Sequence, residues 1–134
     1  MGAKMYRKQL SEIGIEDMEI DVSSLEKAME TMQNLDDMET VLKKIRFNVH
    51  TDIRKVRVDY MKKMQELDEQ LNKPKLFGRK RSPDEIIRKK KSVMKERKIK
   101  IKSYELIENM VDNYISQIEE SRLYIKNHIQ RKVK

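Results

Sequence analysis

Apolar residues recur along one long stretch of the chain at steps of three and four: Leu25, Ala28, Met32, Leu35, Met38, Leu42, Ile45, Val49, Ile53, Val56, Tyr60, Met64, Leu67 and Leu71. That spacing keeps one face of an α-helix apolar, and no Gly or Pro interrupts it before Pro74. Ser23 followed by Glu26 is a capping box, in which the hydroxyl accepts from a free amide of the first turn and the carboxylate reaches back. The pattern predicts one helix over 23–72, about 70 Å long at the usual rise.

Pro74 forces Lys73 out of the helical region and Gly78 tolerates positive φ, so 73–81 is predicted as a loop. In Ser82-Pro83-Asp84-Glu85 the serine suits an N-cap, the proline suits the first helical position, and the acids complement the helix dipole. A second helix over 82–131 follows, with a seam of Ile87, Met94, Ile101, Tyr104, Ile107, Val111, Ile115, Ile118, Ile125 and Ile129. Two uninterrupted helices of matched length joined by a short loop bury both seams as an antiparallel hairpin. Facing residues should then have numbers totalling about 155, as the helix limits dictate.

Upstream, Tyr6, Leu10 and Ile13 recur at helical spacing and Gly14 can end that turn, so 3–13 is a short helix. Met18, Ile20 and Val22 alternate with polar residues without a partner strand, so 15–22 is an extended connector. The fold class expected is all-α: a long antiparallel two-helix hairpin, coiled-coil-like, with a short N-terminal helix and connector, forming one elongated domain over 1–134. Toward the open end Met29, Val41, Met110 and Tyr114 widen the apolar stripes beyond what one partner helix covers. Either the N-terminal helix folds back there, or a homodimer closes a four-helix bundle. Toward the loop, Lys90 and Arg97 stand where the seam would continue.

Charge adds a polarity that the apolar pattern does not show. The chain carries +8 overall, with 40% charged and 37% hydrophobic residues, a composition suited to amphipathic helices. Residues 1–40 sum to −6, residues 41–72 to +3 and residues 73–102 to +11. There is no cysteine, and no apolar run approaches a membrane span or signal sequence. A soluble, cytoplasmic protein without an integral membrane segment is expected.

Arg88, Lys91, Lys95, Lys98 and Lys102 recur at steps of three and four, which lines them along one helix face about 21 Å long. Like charges at that spacing repel, and a polyanion relieves the repulsion with release of counterions. The plainer alternative is a solvated, lysine-rich face. In the loop Lys75, Arg79, Lys80 and Arg81 extend the basic region around Leu76 and Phe77, which either contact a partner or fold back onto the end of the hairpin core. The partner expected is RNA or DNA, held by its phosphate backbone, and the other reading is a coiled-coil scaffold or adaptor docking onto an acidic or helical protein surface.

Nothing in the chain points to catalysis. His50 and His128 lie far apart in the hairpin register and lack the Glu-x-x-His arrangement of di-iron bundles. Asp36-Asp37 and Glu119-Glu120 are adjacent pairs that diverge on a helix, and no phosphate loop, nucleophile motif or zinc spacing occurs. No catalytic residue, metal site or cofactor is expected, and the methionines read as seam residues.

Overall fold

A computed structural model describes residues 2–74 and 81–133, with side chains as far as residue 132. Three helices follow one another: α1 (Ala3–Ile13), α2 (Leu25–Asn72) and α3 (Pro83–Val133). Among the described residues there is no strand, and α2 and α3 pack against each other as a helical hairpin.

The helix ends follow from local chemistry. Gly14 takes φ 75°, the left-handed conformation that ends α1 and that a side chain disfavours. At the start of α2 the capping residue is Ser24, not Ser23: Ser24 Oγ accepts from the Lys27 amide at 3.1 Å. Ser23 is drawn away because Asp21 Oδ1 accepts both its hydroxyl, at 2.7 Å, and its amide. Thr31, buried, donates to the carbonyls of Lys27 and Asp21 and so ties the connector to the first turns of α2. At α3 the expected cap forms, with Ser82 Oγ accepting from the Glu85 amide at 3.2 Å.

The chain divides into two compact units, Met1–Val49 with Leu106–Lys134, and His50–Glu105. In the first, Leu35, Leu42, Ile45 and Val49 of α2 are buried with Ile107, Val111, Ile118 and Ile125 of α3. Helix α1 lies over this pair. It buries Tyr6 and Leu10, and it borders Val41, Lys44, Ile45 and Asn48 on one side and Met110 and Tyr114 on the other. Of the residues that widen the apolar stripe, Met110 and Tyr114 are half-buried beside α1, whereas Val41 and Met29 remain 45% and 59% exposed. Tyr114 also donates to Glu16 Oε1 at 3.2 Å, which fastens the connector.

Elsewhere in this unit the helix pair is held by ions. Arg122 bridges Asp36 at 2.7 Å and Glu39 at 2.5 Å, and Glu39 also meets Lys43 at 2.9 Å. The Lys43 ammonium, with Arg122, holds the Glu39 carboxyl below its ordinary 4.5, against the opposing effect of burial. A depressed folded pKa contributes stability that is present above about 4.5 and lost as pH falls through the folded value. Arg122→Ala should cost about 1–3 kcal/mol in urea denaturation at neutral pH, between the cost of breaking a surface pair and a buried one. The deficit should shrink once Glu39 protonates, and a deficit independent of pH would contradict the assignment.

In the second unit Ile53, Val56, Tyr60 and Leu67 face Ile86, Val93, Ile101 and Tyr104. Here the expected seam is corrected. Ile87 and Met94 are 44% and 56% exposed, while Ile86 and Val93 are 0% and 3%. At 100° per residue Ile86 and Val93 lie within about 20° of the buried Tyr104, whereas Met94 and Ile87 lie about 80–100° away. Lys90, on the inward line, is half-buried and pairs with Asp68 at 2.5 Å. At the other end of α2, Leu25 and Met29 also fall outside the core, 60% and 59% exposed.

The bridges Asp68–Lys90, Arg46–Asp112 and Asp36–Arg122 each total 158 in residue number. Helical side chains lean toward their own N-terminus, so each contact is made about one residue beyond the patch it covers. Applied to both helices, that lean raises the side-chain total above the backbone register by two or more.

Candidate nucleic-acid interface

The basic ridge stands on the outer face of α3. Measured from Tyr104, its five residues lie about 120–200° around the helix, opposite the buried line. Arg88, Lys91, Lys95, Lys98 and Lys102 are all exposed. None forms an ion pair with a described carboxylate, in contrast to Lys90 a short way round the helix. Glu96, the one acid within this run, borders a different depression with Lys63, Glu66, Gln70, Arg81, Lys89 and Val93. Among the described residues the ridge charges are thus without a direct ion-pair partner, and their mutual repulsion favours solvent and counterions around them.

Beside the ridge runs an open groove of about 690 Å³, lined by Arg57 of α2 and by Met94, Lys95, Arg97, Lys98, Ile101, Lys102 and Glu105 of α3. Three of the five ridge residues thus share the groove. Arg88 and Lys91 continue the same face toward the start of α3 without lining it. Arg81 is exposed but lies in the depression bordered by Glu66 and Glu96, apart from the groove. Lys75, Leu76, Phe77, Arg79 and Lys80 lie outside the described residues.

Two groove cations escaped the sequence reading. Arg97 occupies a seam position, and its exposure shows that its side chain leaves the helix pair for the groove. Its place as a charge interrupting an apolar seam was the available signal. Arg57 comes from the other helix, and only the pairing of α2 with α3 brings it opposite the ridge.

No described group of His, Asp and Glu has the arrangement of a metal site. His50 is exposed, and His128, half-buried, stacks on Tyr124 with ring centroids 6.3 Å apart. No described helix is long and apolar enough to cross a membrane. Comparison of the chain with protein-family models, with curated proteins and with solved structures gives no match, so the groove and ridge are read from their own chemistry.

Proposed function

We propose that this is a non-enzymatic nucleic-acid-binding protein that holds a phosphate backbone against the basic face of the second unit. The observation that carries the reading is the row of five exposed cations on one face, none paired with a described carboxylate. Clustered cations without counter-charges are stabilised by a polyanion, and binding one releases its condensed counterions. The contacts are to phosphate, so recognition is weakly dependent on sequence.

Titrating labelled DNA duplex against the protein at several salt concentrations tests this. If the five ridge residues each neutralise one phosphate, log affinity falls with log salt at a slope of about −4 to −5. A slope near zero, or no binding at low salt, with the duplex and with labelled RNA alike would remove nucleic acid as the partner and leave an acidic protein surface as the ligand of the ridge.

A further inference from the structure

Resting on that reading, we infer that the groove beside the ridge takes a single unpaired strand, its bases turned onto an apolar floor and its phosphates held by cationic walls. The floor is Met94 with the edge of Ile101, which is only 8% exposed, and Ile87 continues the same flank of α3 at the same seven-residue step. Met94 is 56% exposed and Ile87 44%, so apolar surface stands open beside the ridge cations. The walls are Arg57 on α2 and Lys95, Lys98 and Lys102 on α3, with Arg97 between them and Glu105 as the one acid of the lining.

A duplex presents phosphates on its outside and keeps its bases stacked within. Laid on the ridge it satisfies the cations, but it covers Met94 with charge and sugar and gains nothing from the floor. An unpaired strand can rotate its bases away from its phosphates, so one strand meets both surfaces at once. The groove lacks an aromatic platform. Base contact therefore falls to the polarizable thioether of Met94 and the aliphatic flank, which favours any base about equally.

The shape separates this occupant from two others. An anionic membrane surface takes up apolar residues that crest above flanking cations, whereas Met94 and Ile101 line a groove walled by cations. A partner helix needs apolar anchors at steps of three and four, whereas this flank offers one only at every seventh residue.

The test uses the full chain, labelled oligouridylate and oligothymidylate, a duplex of the same length, and anionic phosphatidylserine vesicles. The single strands should bind more tightly than the duplex at equal salt, with a slope of about −3.5 for five phosphates. Met94→Ala, an exposed change that leaves the charge intact, should weaken the single strands by about 2- to 10-fold and leave the duplex unchanged. Lys98→Ala should weaken both.

Duplex affinity equal to or above that of the single strands, or a Met94→Ala variant that binds single strands as the parent does, would overturn the inference while leaving the proposed function standing. Absence of salt-dependent binding to any nucleic acid would overturn both. Vesicle binding lost in Met94→Ala, with the oligonucleotides ignored, would assign the groove to a membrane surface and overturn both as well.

Discussion

Reversing four ridge charges together, Arg88, Lys91, Lys95 and Lys98 each to Glu, should lower nucleic-acid affinity by at least about 100-fold at low salt and flatten the salt dependence. Each reversal replaces an attraction to phosphate by a repulsion, and the slope against log salt shrinks by about 0.9 for each duplex phosphate left unneutralised. All four positions are exposed and lie on the outer face of α3, so helix content by circular dichroism should be unchanged. The comparison that gives the result meaning is a second variant with the same net charge change, Lys8, Lys44, Lys55 and Lys62 each to Glu. These residues are also exposed and lie on α1 and α2, not on α3. It should weaken binding by less than about 10-fold, through the long-range field alone. Equal losses in the two variants would mean that net charge, and not this face, holds the ligand.

Removing the anchors of α1 should have the largest effect on stability. Tyr6 and Leu10 are each 2% exposed and are the buried residues of that helix. Leu10→Ala alone should lower the unfolding free energy by about 3 kcal/mol, as expected for deleting a buried Leu side chain and leaving a cavity. The double variant Tyr6→Ala and Leu10→Ala leaves an eleven-residue helix without its two buried anchors, and a helix of that length is marginal in water by itself. Amides of 3–13 should then exchange rapidly with solvent. The stripe of α2 and α3 that α1 covers, including Met110 and Tyr114, becomes exposed. In sedimentation the double variant should associate more strongly with rising concentration than the parent does. A variant that keeps slow exchange over 3–13 would show that α1 is held by something other than these two side chains.

How much of this was legible differs from element to element. The end of α1 at Gly14, the Ser82-Pro83 start of α3 and the unbroken course of α2 were all readable, because each rests on a few adjacent residues. The N-cap of α2 was misplaced by one residue, since a carboxylate two positions upstream, Asp21, competes for Ser23. In α3 the exact seven-residue recurrence of Ile87, Met94 and Ile101 resembled a seam more closely than the true inward line, in which Lys90 interrupts Ile86 and Val93. An ideal helix turns 700° in seven residues, about 20° short of two turns, so such a recurrence drifts off the buried line. The ridge residues were found because surface charge periodicity is local. The groove was not, because its opposite wall is supplied by Arg57.

The sequence by itself determined where the helices begin and end, that two of them are long enough to pair, and that positive charge gathers on one face of α3. These follow from caps, periodicity and residue type, interactions that reach no further than one or two helical turns. Only the tertiary structure decided that α1 packs beside Met110 and Tyr114, that Arg122 is held between Asp36 and Glu39, and that Met94 opens onto a groove beside the ridge. Each depends on how one helix is rotated against another. A rotation of about 100°, the angle between adjacent residues, exchanges Val93 for Met94 in the core, and a one-dimensional pattern with apolar residues at both positions leaves that choice to packing.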